Sequence, residues 1–219
     1  METFLKKEFE DLGFKTQEVI QNVLLVENFL TKEEVEELWS IINLTPEEDW
    51  QIEYLTNLKN FCIEKFGRDD VDNLVAEGKF EITQNWADKN LDINKYTWTQ
   101  NFYDRLNNLV IKANPKIQLS GMKTFQRMQE GVELKSHTDQ HTDPSIEYAT
   151  IIYLNDDYVD GEFFFENKDI SIRPKTGSLL IFPGNDEFKH GVKHVGPGPI
   201  RYVIVGFIKI KDFYKENKY

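Results

Sequence analysis

The sequence predicts an α+β chain in which helices come first, strands follow, and the helices pack on the outside of an antiparallel sheet closed into a sandwich or barrel. Three observations carry this. Apolar residues recur at helical spacing in the first half. Short β-rich runs take over from Tyr148. Turn-forming residues separate those runs at close intervals, as in all-β sandwiches and barrels.

The helical half opens with an apolar, β-branched stretch from Val19 to Val26, read as a strand. Thr31-Lys32-Glu33-Glu34 is a capping box, in which the threonine hydroxyl accepts from the Glu34 amide and Glu34 reaches back. Leu30 and Val35 are placed for a hydrophobic staple. Val35, Leu38, Trp39 and Ile42 follow at i, i+3, i+4 and i+7, one buried helical face. Leu55, Leu58, Cys62 and Phe66 suggest a second helix. Phe102, Leu106, Leu109 and Ala113 suggest a third, stopped by Pro115. Between them, Arg68 to Tyr96 is polar and acidic and reads as a surface loop or an irregular helix pair.

In the second half, residues 148–154, 162–166, 170–173, 178–182 and 201–210 read as strands. Asn155-Asp156-Asp157, Asp160-Gly161, Lys175-Thr176-Gly177, Pro183-Gly184 and Gly196-Pro197-Gly198-Pro199 separate them. Phe163-Phe164-Phe165 is expected to be core on one face and to pack under the helices on the other.

Composition bounds the function. The chain has 219 residues, enough for one domain with a sizeable accessory layer, and no linker divides it. Its net charge is −12, from 26 Lys+Arg against 38 Asp+Glu, which disfavours nucleic acid and anionic membrane surfaces as partners. Cys62 is the single cysteine and is read as a buried inert thiol. It excludes an intrachain disulfide; with no signal peptide or membrane-spanning run in view, the expected setting is cytoplasmic. Trp39, Trp50, Trp86 and Trp98 are read as packing residues.

All four histidines follow residue 136. His137-Thr138-Asp139 is followed at once by His141-Thr142-Asp143, and His190 and His194 form a second pair. In an extended strand residues i and i+2 point the same way, so His137 and Asp139 can converge on one point. A histidine from a neighbouring strand completes two imidazoles and a carboxylate with an open face, the ligand set of non-haem Fe(II) oxygen chemistry. The bland alternative for each pair is a solvated polar turn, and His141 with Asp143 is read that way.

The ordered motifs Gly131 through Asp139, Ala149 through Asp156, Asp160 through Phe163, Ile172 through Ser178, Phe182, His190-Gly191-Val192 and Arg201-Tyr202 resemble the Fe(II)/2-oxoglutarate-dependent dioxygenases. The branch is the prolyl 4-hydroxylase type, including its small bacterial and phage-encoded members. The resemblance implies a double-stranded β-helix, or jelly roll, at about 117–211, with a helical layer at about 1–116 in the same single domain. It implies that His137, Asp139 and His190 are the metal-binding and catalytic residues, His194 being the rival to His190. It implies that Arg201 pairs with the 5-carboxylate of 2-oxoglutarate, that the Tyr153 hydroxyl touches the same group, and that Thr150 faces the cosubstrate. Implied with these are Fe(II), 2-oxoglutarate and O2, with ascorbate as a candidate further cofactor.

The expected activity is hydroxylation of prolyl residues in a peptide or protein, with succinate and CO2 as products. The alternatives are the same chemistry on a free amino acid or small molecule, a non-catalytic jelly-roll binding module, and a zinc protein using the His137–Asp143 cluster. Arg68–Tyr96 is a candidate lid. The chain departs from the branch in three places, with a fourth, milder one: the His190–Arg201 interval is one residue longer than is common, His194 stands where proline is common, Met128 where tyrosine is usual, and, more mildly, Phe207 where tryptophan is frequent.

Overall fold

The computed structural model describes residues 3–46, 50, 87–89 and 99–216. The expected helix through Leu55, Cys62 and Phe66, the inert Cys62, Trp86, Trp98 and most of the candidate lid Arg68–Tyr96 lie outside these residues.

Eleven strands are described. They are β1 (Thr16–Ile20), β2 (Val23–Val26), β3 (Ala87–Lys89), β4 (Ile117–Met128), β5 (Leu134–His137), β6 (Ile146–Tyr153), β7 (Phe163–Phe165), β8 (Ile170–Ile172), β9 (Leu179–Pro183), β10 (His190–Val192) and β11 (Arg201–Ile210). A seven-stranded sheet runs β1-β2-β9-β6-β11-β4-β3 and a four-stranded sheet runs β5-β10-β7-β8. From β4 onward the chain crosses back and forth: β4 large sheet, β5 small, β6 large, β7 and β8 small, β9 large, β10 small, β11 large. That winding is the jelly roll, and it leaves antiparallel pairs throughout.

Strand alternation sorts side chains into two cores. Ala149, Ile151 and Tyr153 of β6 and Val203 of β11 point between the sheets, against Phe163, Phe165, Leu180 and Phe182. Ile152, Ile204, Ile208 and Ile181 point the other way, under the helices. Phe164 is half-buried on the outer side of the small sheet, where its ring crosses Gly191. The expectation that this run packs under helices is therefore corrected, since the helical core is built on the large sheet.

The helices are α1 (Lys6–Asp11), α2 (Lys32–Leu44), α3 (Thr99–Ala113), α4 (Asp139–Thr142) and α5 (Phe213–Glu216). The capping box is present: the Glu34 amide donates to Thr31 Oγ1 at 3.2 Å and the Thr31 amide to Glu34 Oε2 at 2.9 Å. Leu38, Ile41 and Ile42 are buried, with Val35 and Trp39 packed against them. Thr45 ends α2 in an extended conformation, as a residue before proline prefers. Arg105 of α3 forks onto the Glu34 carboxylate at 3.2 and 3.0 Å and donates to the Phe29 carbonyl, tying α3 to the start of α2. Trp39 Nε1 donates to the Leu154 carbonyl at 3.0 Å, pinning α2 to the sheet.

Three expectations change here. Val19–Val26 is two antiparallel strands, not one: the chain reverses at Gln21-Asn22, with Asn22 in the left-handed region at φ 69°. The layer before residue 117 is not only helical, because β1, β2 and β3 join the large sheet. Val110 is buried and Ala113 is exposed, so the buried face of α3 ends a turn early.

Candidate functional site

β5 ends at His137, Thr138 continues in an extended conformation, and Asp139 opens α4. β10 begins at His190, which pairs directly opposite His137 on one side and Phe165 on the other. The two imidazoles therefore come from adjacent strands, with ring centroids 4.5 Å apart. Each histidine Nδ1 lies 3.0 Å from a backbone carbonyl two residues earlier, Lys135 for His137 and Phe188 for His190. A carbonyl only accepts, so both Nδ1 atoms carry the proton and both Nε2 lone pairs are free. Those Nε2 atoms lie 3.9 and 3.7 Å from the Asp139 carboxylate oxygens. One ligand atom from each of the three residues fits within 4.8 Å of the others.

The surroundings hold the trio still. His190 is 4% exposed. Its ring stacks on Phe163 at 5.3 Å and meets Phe182 edge-on at 4.6 Å. Gly191 has no room for a side chain: a Cβ there would lie 2.5 Å from the Leu134 carbonyl and 2.8 Å from Phe164. Burial, with His137 close by, drops the His190 pKa to about 3, and burial raises Asp139 to about 7. His137 is also lowered by burial, so both imidazoles are held neutral. Asp139 Oδ2 is buried without a hydrogen-bond partner among the described residues. Two neutral imidazoles around an uncompensated carboxylate are the donor set that a divalent cation satisfies.

A second constellation begins β11. Arg201 is 1% exposed and pairs across to Met128. Its Nη1 is directed at the Met128 sulfur at 3.6 Å, a weak acceptor. Its Nε and Nη2 are buried without partners among the described residues, as are the hydroxyls of Tyr153 and Tyr158. The guanidinium lies 5.3 Å from the Tyr153 ring centre and 5.7 Å from that of Tyr158. Burial raises both phenols, and Arg201 opposes this by less. A buried cation facing unpaired donors calls for an anion with several lone pairs, and a carboxylate is one.

His137, Asp139 and His190 are thus brought together, as are Arg201 and Tyr153. His194 is exposed, and its backbone carbonyl accepts from the Gly161 amide. Between His190 and Arg201 the chain runs through the loop after β10, where Val195 bridges Asp160. His141 pairs with Asp186 at the surface and Asp143 binds Ser145, Tyr214 and Lys209, so neither joins the trio. Thr150 is corrected: it alternates with Ala149, Ile151 and Tyr153 and lies on the side of Tyr148 and Ile152, which pack in the helical core. The inward position is held by Ala149. Tyr158 was not anticipated; it sits among turn residues, and its one sequence signal is a large aromatic between Asp157 and Asp160-Gly161.

Residues 123–209 match the family model described as the 2OG-Fe(II) oxygenase superfamily. Over 75 residues the chain is 35% identical to prolyl 3-hydroxylase 2 of Homo sapiens and 33% identical to that of Gallus gallus. These matches cover 32% of this chain and about a tenth of the length of those relatives. In three dimensions the chain is similar to a prolyl-4-hydroxylase of Pseudomonas putida, with a TM-score of 0.57 and 16% identity over 94% of this chain and 99% of that one. It is similar also to a Trichoplax adhaerens prolyl hydroxylase solved with a hypoxia inducible factor oxygen degradation domain peptide fragment, with a TM-score of 0.62 and 13% identity over 98% and 91%. At such identities the likeness is one of fold. The segment that matches the 2OG-Fe(II) oxygenase superfamily model contains β5, β10 and β11 up to Lys209, and with them His137, Asp139, His190 and Arg201.

Proposed function

We propose that the chain is an Fe(II)- and 2-oxoglutarate-dependent dioxygenase acting on prolyl residues of a peptide or protein, with succinate and CO2 as products. The observation that carries the reading is the pairing of a facial His137–Asp139–His190 set with a buried, unpaired Arg201 beside Tyr153. The chemistry such a centre supplies when loaded is oxidative decarboxylation of 2-oxoglutarate coupled to hydroxylation of a C–H bond. His137, Asp139 and His190 would hold the metal, with Asp139 offsetting part of its charge. The Nδ1 bonds to Lys135 and Phe188 fix the ring orientations. Arg201 and Tyr153 would anchor the far carboxylate and so orient the keto acid. Phe163, Phe165 and Phe182 exclude water behind His190. The relatives' names support prolyl substrates, a prolyl 3-hydroxylase by sequence and a prolyl-4-hydroxylase by fold, so both ring positions are candidates and the hydroxylated carbon is to be read from the product. A cytoplasmic setting belongs to the same reading.

The test is succinate formation and a +16 mass shift on a Pro-rich peptide with added Fe(II), with fragmentation locating the hydroxylated carbon. His137→Ala is expected to lower turnover by about 100-fold or more, since loss of a group that merely orients a ligand already costs about 10- to 100-fold. Undiminished turnover would sink the ligand assignment. Turnover of a free amino acid in place of the peptide would redirect the substrate class.

A further inference from the structure

The acceptor capacity of a carboxylate sets a count that Arg201 and Tyr153 do not fill. A carboxylate offers about four lone-pair sites on two oxygens. Arg201 commits Nη1 towards Met128, leaving the Nε–Nη2 edge, two parallel N–H donors that match one side of a carboxylate. Tyr153 supplies a third donor. The remaining buried hydroxyl with no partner beside this guanidinium is that of Tyr158.

The loop that carries Tyr158 is built to hold it. Asn155 donates to Asp157 and to the Ile200 carbonyl, and accepts from the Tyr202 amide, so the loop start is fixed to β11 one residue from Arg201. Asp160 and Gly161 both adopt left-handed backbone, at φ 52° and 66°. A Cβ at Gly161 would lie 3.0 Å from Val195 and 3.4 Å from the Tyr158 ring, so the turn closes directly on that ring. Arg173, from just beyond β8, lies over the ring at 5.2 Å and donates to the carbonyls of Tyr158 and Asp160 and to Glu162.

Resting on the function proposed above, we infer that Tyr158 is a binding residue whose hydroxyl is the fourth donor to the distal carboxylate of the keto diacid, and that Arg173 is the positioning residue that holds it there.

The experiment is calorimetry on the full chain loaded with Mn(II), which needs no turnover. The probes are 2-oxoglutarate and oxalate; oxalate can chelate the metal but has no arm to reach Arg201. Tyr158→Phe keeps the ring and is checked by its melting temperature. It is expected to weaken 2-oxoglutarate binding about 10-fold, the scale of a hydrogen bond to a charged group, and to leave oxalate binding unchanged. Arg173→Gln is expected to give the same pattern more weakly, with recovery in Arg173→Lys. Equal affinity of wild type and Tyr158→Phe for 2-oxoglutarate overturns the inference while leaving the proposed function standing. Equal weakening of both probes overturns it too, because it assigns Tyr158 a structural role. A wild type that binds oxalate but not 2-oxoglutarate overturns the cosubstrate reading on which the inference rests.

Discussion

His137 and His190 occupy directly opposed positions on neighbouring antiparallel strands, and each turns its Nδ1 to the carbonyl two residues before it. One backbone device, used twice, aims both Nε2 atoms at the Asp139 carboxylate. Ligand geometry is thus a property of strand register, and anything that shifts β5 against β10 moves both donors.

Gly191 is where that register is most vulnerable. Gly191→Ala would place a methyl 2.5 Å from the Leu134 carbonyl, which only backbone movement can relieve. The expected outcome is destabilisation of about 1–3 kcal/mol, on the scale of overpacking, and loss of metal affinity out of proportion to it. Thermal melts with and without Mn(II) check this. A variant whose metal-induced shift equals that of wild type would contradict the register argument.

Asp139 is a buried carboxyl whose Oδ2 has no hydrogen-bond partner among the described residues. Asp139→Asn removes the uncompensated carboxylate and is expected to leave the metal-free melting temperature unchanged or higher. The stabilisation by added metal, about 2.7 kcal/mol at a hundredfold excess over Kd for the wild type, is expected to vanish. Lower metal-free stability in the variant would show that the carboxylate is structurally satisfied.

Arg201→Lys keeps the cation and loses the Nε–Nη2 edge. Steady-state kinetics are expected to show KM for 2-oxoglutarate rising about 10-fold or more, with kcat changing less, because the lost contact anchors rather than reacts. An unchanged KM would show that charge alone is read.

Asp143 links acid stability to the C-terminal segment. Burial pushes its carboxyl up, but Ser145, Tyr214 and Lys209 more than offset this and hold it far below the usual range. A depressed folded-state pKa contributes stability that is fully present above the unfolded value, about 3.9, and is lost as pH falls below it. Melting temperatures below about pH 4 should therefore fall more steeply for wild type than for Asp143→Asn. Parallel curves would remove Asp143 from the account. The contribution is a modest one, since Asp143 is only partly buried.

Much of this was legible in the sequence because local rules and the global fold agree. Thr31 and Glu34 announce α2, and its apolar spacing announces the face it buries. The strands from Ile146 to Ile210 are short, β-branched and bounded by turns. His137 and Asp139 announce themselves by spacing. What was lost depended on parity or on partners distant in sequence. Counting back by twos from Tyr153 reaches Ile151 and Ala149 and never Thr150, so alternation alone places Thr150 on the opposite face. The reversal at Gln21-Asn22 lacks the glycine that usually marks so tight a hairpin. Tyr158 could not be read, because its inward direction is set by Arg173, Gly161 and Val195 together.

The large sheet separates two sets of side chains that share a backbone but not a face. Arg201 and Tyr202 sit on either side of a single peptide bond, one lying over Tyr153 between the sheets and the other meeting Trp39 and Trp50 at 5.1 and 5.9 Å. Substitutions at the α2 and α3 positions packed on that outer face are therefore expected to change stability more than the pocket. For protein engineering this makes the outer face a region to vary for stability or for new attachments, with the interior left alone.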